Sequence, residues 1–389
     1  MQLIFLVIIA LFAGSGFYAV LNLLRHRRVP YSRAILAALL FALLSGGHQY
    51  LLFWGNTAKL GLFSHVLYLT AFCAVFSLLA LPPVLISDIV LSIVRLKYGR
   101  GFLTRPRIIA RRKAWAVVLS AFLCLCSGLA LYNAVKAPAL KYQDIYVKEL
   151  PASLNGLKIA QLTDVHTSPL FTRPRSEAMV QQVTEANPDL IVFTGDQVDG
   201  TPQMREDALL PFTKLQAPLG MYFIPGNHEY ILSMAAWRDW YQGHNLRLLI
   251  NEHVSLTYGD GRINIVGLDD EAALTRGGSE FSGPNIEKAL EGAPQADFTL
   301  LLAHQPRQAE RYSADKYGID LMLSGHTHGG QIPILRSMTA AANHGFVAGL
   351  YQVGDMQLYV SEGSGLWQGF CARLDTEGEV TIFTLKSAP

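Results

Sequence analysis

Four long apolar runs constrain this chain more than anything else in it: Leu3–Leu24, Ala34–Phe53, Leu60–Leu81 and Ala114–Val135. A hydrocarbon core of about 30 Å takes about 20 apolar helical residues to cross. Inside it every backbone polar group must pair within its own segment. Each run is therefore expected as a membrane-spanning helix, and residues 1–136 as an all-α transmembrane region. Tandem prolines, Pro82-Pro83, close the third run, remove two backbone donors and predict a kink or break there. Beyond them the apolar stretch continues through Asp88 to Val94.

The short loops set the expected orientation. Arg25, Arg27, Arg28 and Arg33 separate the first two runs. Eight more basic residues between Arg95 and Lys113 separate the last two, whereas Lys59 alone lies between the second and third. Basic loops stay cytoplasmic. This predicts a multi-pass protein of the inner (plasma) membrane with everything after Val135 on the extracytoplasmic side. His48 and His65 fall near the outer helix ends, where they are expected to reach water. Cys73, Cys124, Cys126 and Cys371 lack the spacing of a zinc site or disulfide framework and read as small apolar fillers. A net charge of +2 is too small to argue for nucleic acid as a partner.

From about residue 150 onward the composition becomes that of a globular domain, expected to run to residue 389. Short apolar runs alternate with helical segments, the pattern of an α/β layered domain. The runs end in polar groups that share one chemistry. These are Asp164-Val-His166, Gly195-Asp196, Gly226-Asn227-His228-Glu229, Ala303-His304 and Gly325-His326-Thr-His328. Polar residues past strand carboxyl ends are the usual makings of an α/β active site. The donors are oxygen and imidazole with no thiolate, a set suited to Mn, Fe, Zn, Co or Ni. Two residues apart on extended backbone, Asp164 and His166 project to one side. A carboxylate has two oxygens and can bridge two metals, and Asp196 stands where that is possible. Trp237, Trp240 and Tyr241 read as packing, and His244, His253 and His344 as surface or loop residues.

The ordered set DxH, GDxxD, GNHE, a histidine before Gln-Pro, and GHTHGGQ resembles the calcineurin-like metallophosphoesterases, in particular bacterial membrane-anchored members. The resemblance covers about residues 157–374. It implies a four-layer αββα sandwich binding two divalent metal ions. Asp164, His166, Asp196 and His328 would hold one, and Asp196, Asn227, His304 and His326 the other. It further implies that His228 protonates the leaving group, with Asp199 and Glu229 orienting the ligands. The implied activity is hydrolysis of a phosphomonoester or phosphodiester by metal-activated water. Membrane anchoring points to a lipid or cell-envelope substrate. The alternative is a catalytically silent membrane sensor or binding protein that uses the same fold. One departure concerns the tail: residues 363–373 lack the proline of the Pro-x-Arg-like element usual in such members, which leaves the substrate-facing rim open.

Overall fold

The structure is a computed structural model that describes residues 2–54, 64–313, 315–367 and 369–388. It divides into two compact units, one of residues 1–133 with Gly369–Leu374, the other of residues 134–368 with Asp375–Pro389.

The first unit is helical: α1 (Gln2–His26), α2 (Tyr31–Trp54), α3 (Ser64–Tyr98), the short α4 (Arg100–Leu103) and α5 (Pro106–Val135). Among the described residues, α1, α2, α3 and α5 are long and apolar enough to cross a membrane. The expected start of the third span at Leu60, and Lys59, lie outside the described residues. The prolines do not break α3, which runs helical through Pro82 and Pro83 for 35 residues. In apolar surroundings the backbone groups on either side have no water to pair with, so continuing the helix wins over ending it. Ala19, Phe76, Ala80, Val84, Ala116 and Leu123 form the bundle core. Its alanines let helices approach closely.

His48 corrects the expectation of a water-exposed histidine. It is buried, with Nδ1 3.1 Å from Thr70 Oγ1. Asp88 likewise has a local partner, accepting a hydrogen bond from Tyr18 Oη at 2.6 Å. Cys73 is buried in the bundle, as expected of an apolar filler.

The tail segment Gly369–Leu374 belongs to this helical unit. Gln49 Nε2 donates to the Gly369 carbonyl at 2.9 Å, and Arg373 N donates to the Ala130 carbonyl at 3.0 Å. Cys371 Sγ lies 3.7 Å from His48 Nε2.

The second unit holds two six-stranded sheets. In sheet order the first comprises β1 (Ala139–Val147), β12 (Glu379–Ser387), β2 (Lys158–Leu162), β3 (Leu190–Thr194), β4 (Met221–Ile224) and β5 (Arg247–Leu248). The second comprises β10 (Gly349–Val353), β11 (Met356–Val360), β9 (Leu321–Ser324), β8 (Phe298–Leu302), β7 (Gly261–Gly267) and β6 (Glu252–Tyr258). Strand β1 occupies the interval between the two expected domains and pairs in parallel with β12.

Strand alternation assigns the layers. Leu190 and Val192 of β3 point between the sheets, where they join Leu300 and Leu302 of β8 and Leu321 and Leu323 of β9. Ile191 and Phe193 point outward onto Met179, Val183, Trp237 and Tyr241 from the covering helices. On the far face Leu301 and Met322 meet Ile286, Ala309 and Tyr312. Helix, sheet, sheet, helix is the four-layer αββα sandwich. Trp237, Trp240 and Tyr241 are core residues, as expected. His253 is not in a loop: it sits in β6 with Nδ1 2.8 Å from the Ala289 carbonyl.

Candidate metal centre

Strands β2, β3, β4, β8 and β9 run alongside one another in two packed sheets, so their carboxyl ends emerge at one edge of the sandwich. The polar residues that follow them converge there. Asp164, His166 and His328 each offer a donor atom within 4.8 Å of the others, and Asp196, His304 and His326 form a second such group. Asp196 joins them: its Oδ2 lies 3.2 Å from His304 Nε2 and 3.8 Å from His166 Nε2.

The backbone is bent to achieve this. Asp164, His166, Asp196, His326 and His328 all have positive φ, between 48° and 71°. Non-glycine residues rarely adopt that region, and it clusters at functional sites where surrounding structure enforces it. Here the enforcement is visible. Asp164 N donates to the Gly195 carbonyl at 3.0 Å, and His166 N donates to the Asp196 carbonyl at 3.1 Å. The Asp164 carboxylate accepts from His326 N at 3.0 Å and from Thr163 Oγ1 at 2.7 Å. Gly226 must be glycine, because a Cβ there would run into the Asp196 carboxylate.

Glu229 ties the Asp196 loop to the Asn227 loop. Its buried carboxylate accepts from Asp196 N at 3.1 Å, Gln197 N at 2.8 Å and Gly226 N at 2.8 Å. Glu229→Ala would leave three buried donors unpaired, each costing about 1–3 kcal/mol. The variant is expected to lose roughly 3 kcal/mol or more and to melt several degrees below the parent, a shift that differential scanning fluorimetry would detect. An unchanged melting temperature would remove Glu229 from this role.

Asp199 orients two imidazoles. Its Oδ1 is 2.5 Å from His228 Nδ1 and 3.3 Å from His166 Nδ1. His228 N donates to Asp196 Oδ1 at 2.8 Å, which sets the imidazole beside the cluster. Its ring keeps some solvent access and meets the His166 ring edge-on at 4.6 Å.

Burial and close charges perturb the titrating groups of the cluster in opposite directions. Burial drives His326 down to about 3, helped by the neighbouring His304. Burial also raises the Asp164 carboxyl, and burial with Asp196 nearby pushes Glu229 up to about 7. For His228, burial opposes the charge, but the Asp196 and Asp199 carboxylates outweigh it and raise the imidazole to about 9. Strong opposing shifts in one pocket mark a site built to hold charge. The donors fit divalent metal ions. His166 Nε2 and His328 Nε2, both ligand atoms by type, face each other at 3.1 Å. Among the described residues, Asn227 Oδ1 is buried without a hydrogen-bond partner, an oxygen of the type a divalent ion takes.

A family model described as calcineurin-like phosphoesterase matches residues 157–330. An uncharacterized metallophosphoesterase of Helicobacter pylori is 32% identical over 354 residues, covering 89% of this chain and 88% of the relative. The chain belongs to the calcineurin-like metallophosphoesterases. A Bos taurus protein named "transmembrane protein with metallophosphoesterase domain" is 37% identical over 74% of this chain. The match takes in 66% of that relative and 63% of its Danio rerio namesake, so the chain spans just under two thirds of their length. A solved dimetal phosphatase from Danio rerio is 12% identical with a TM-score of 0.35, covering 54% of this chain and 88% of that one. The family uses divalent metal ions, and the donor groups at this sheet edge are of the type such ions take.

Two features of the centre escape the motif reading. Ser364 N donates to the Thr163 carbonyl at 2.7 Å and Gly365 N to the Asp164 carbonyl at 3.0 Å, so the tail braces the Asp164 loop. This brings Trp367 to the rim, its ring 6.4 Å from that of His228. The helix Pro333–Ala342 after GHTHGGQ is the other. Its apolar residues at helical spacing are the signal by which the sequence could have shown it.

Proposed function

We propose that this protein is a membrane-anchored, dinuclear metal-dependent phosphoesterase acting on a phosphomonoester or phosphodiester of a lipid or the cell envelope. Residues 1–136 serve as the membrane region and residues 150–389 as the catalytic domain. The observation that carries the reading is the convergence of two donor groups with Asp196, a member of one, 3.8 Å from His166 of the other. Asp164, His166, Asp196 and His328 would hold one ion, and Asp196, Asn227, His304 and His326 the other. When bound, the ions supply positive charge for the phosphoryl oxygens and a water of lowered pKa.

The chain's own residues do the rest. Asp196 Oδ1, by accepting from His228 N, fixes the imidazole relative to the ligand set. Asp199 holds Nδ1, leaving Nε2 to face the reacting group and to give its proton to the departing alkoxide. Water adds to phosphorus, the P–O ester bond breaks, and the alcohol leaves protonated. Purified full-length protein with Mn and bis-p-nitrophenyl phosphate is expected to release p-nitrophenol, and a chelator to stop it. Metal binding without turnover of any ester would point instead to a silent binding protein.

We further propose that the catalytic unit lies outside the cytoplasm, on a plasma (inner) membrane. The basic residues clustered around the α1–α2 connection and from Arg95 to Lys113 at the facing ends of α3 and α5, cytoplasmic under the positive-inside rule, support this. Alkaline phosphatase and fluorescent reporters fused after Pro389 and after Gly101 are expected to report opposite sides. A cytoplasmic signal from the fusion after Pro389 would invert the topology.

A further inference from the structure

The cavity over the metal-ligand cluster has a second, apolar half. Its volume is about 460 Å³, within the range of small-molecule sites. Asp196, Asn227 and His228 line one side, and Leu335, Met338 and Ala342 line the other. Those three, with Thr339, stand at positions i, i+3, i+7 and i+4 of the helix Pro333–Ala342, so a single stripe of that helix faces the cavity. Trp367 closes the rim beside His228.

This wall is built into the centre and is not a loose surface helix. Gly330, two residues past His328, has φ +79°, and a Cβ on it would come within 2.5 Å of Arg336 Cα. The first turn of the helix therefore lies directly against the loop that carries His326 and His328. Beyond the last turn, Thr327 Oγ1, between those same histidines, donates to the Val347 carbonyl at 2.7 Å. The helix is thus bracketed by the ligand loop at both ends.

Its side chains are not those of a water-facing helix. No residue in it is buried, and Ile334 is 62% and Met338 68% exposed. An apolar stripe left open beside a charged centre marks a place where an apolar group binds. From Leu335 to Ala342 the stripe is about 10 Å long, seven residues at about 1.5 Å each.

We infer, on the hydrolase reading given above, that the Leu335–Met338–Ala342 stripe and Trp367 bind an alkyl chain esterified to the phosphate. The phosphoryl group must lie at the carboxylates and histidines to react. A chain leaving it on the Leu335 side then runs along the helix. Charge complementarity fixes the polarity of the ligand: anionic head on the metal side, hydrocarbon on the helix side. Such alkyl phosphoesters are the amphiphiles of the membrane that α1, α2, α3 and α5 are suited to span.

The test uses full-length protein in detergent with Mn and a series of p-nitrophenyl alkyl phosphodiesters from ethyl to hexyl. Hydrolysis adds water across the aryl P–O bond and releases p-nitrophenol and the alkyl phosphate. For the parent protein kcat/KM is expected to rise about twofold per methylene, the scale of partial burial. Leu335→Ser with Met338→Ser should flatten that slope, and Met338→Leu should keep it. A flat series from the active parent protein, or an equal loss at every chain length in the double variant, overturns the alkyl subsite. Calorimetric binding of the matching alkyl phosphonates separates this from failure of the hydrolase reading. With no turnover of any ester, affinity that still climbs with chain length in the parent and not in the double variant upholds the subsite and rejects hydrolysis. Flat affinity rejects both.

Discussion

Asp196→Asn is expected to abolish phosphoester hydrolysis and to strip bound metal from the protein in one step. Asp196 is a member of the group with His304 and His326 and reaches the other group at His166: Oδ2 sits 3.2 Å from His304 Nε2 and 3.8 Å from His166 Nε2. Its other oxygen accepts from His228 N at 2.8 Å. An amide keeps the volume but loses the negative charge, and it presents an NH2 where an anionic oxygen is needed. On the proposed mechanism the donor groups and His228 act as one unit, so the expected loss is not a fraction of activity but roughly 10³-fold or more. Metal content by mass spectrometry should fall by at least half. Near-normal turnover with a full metal complement would show that the two donor groups are independent and that no shared carboxylate exists.

How much of this centre is legible in the sequence differs from group to group. Each ligand-type residue follows a buried apolar run, so its position at a strand end can be read from the run itself. The same runs carry the layers, because alternation sends Leu190 and Val192 one way and Ile191 and Phe193 the other. Backbone conformation cannot be read this way. Nothing in Asp164, His166, Asp196, His326 or His328 as letters reports a positive φ, since the hydrogen bonds that enforce it come from other loops.

The helical half shows the same limit. Pro82-Pro83 is a breaker by local propensity, and the surroundings overrule it. His48, near a helix end, reads as wet. Thr70 in α3 and Cys371 in the tail, a residue more than three hundred positions away, cover it. That last contact also changes how the protein should be dissected. A shortened protein beginning near Ala137 would leave Gly369–Leu374 without Gln49 and Ala130, its hydrogen-bond partners. Lost activity in such a protein could not be assigned to lost lipid access, so the full-length chain is the form to assay.

His228→Ala should behave unlike Asp196→Asn, and the contrast is what separates proton transfer from metal binding. His228 makes a short contact to Asp199 Oδ1 through Nδ1, while its Nε2 stays 4.0 Å from Asp196 Oδ2. Its donor atom also falls within reach of His166 and Asp196, so by distance alone it forms a third group that could hold a metal. The hydrogen bonding argues against that role. A ring pinned by a carboxylate at Nδ1 and held toward the charged state by Asp196 and Asp199 is prepared to carry a proton, whereas a ligand must be neutral at its coordinating nitrogen. Removing it should leave the metal content intact and KM little changed, and lower kcat by about 10²-fold, the scale of a general acid. The deficit should shrink for esters with good leaving groups such as p-nitrophenol, which depart without a proton, and widen for alkyl esters. A variant that loses metal, or one whose deficit is the same for aryl and alkyl leaving groups, would take proton donation away from His228.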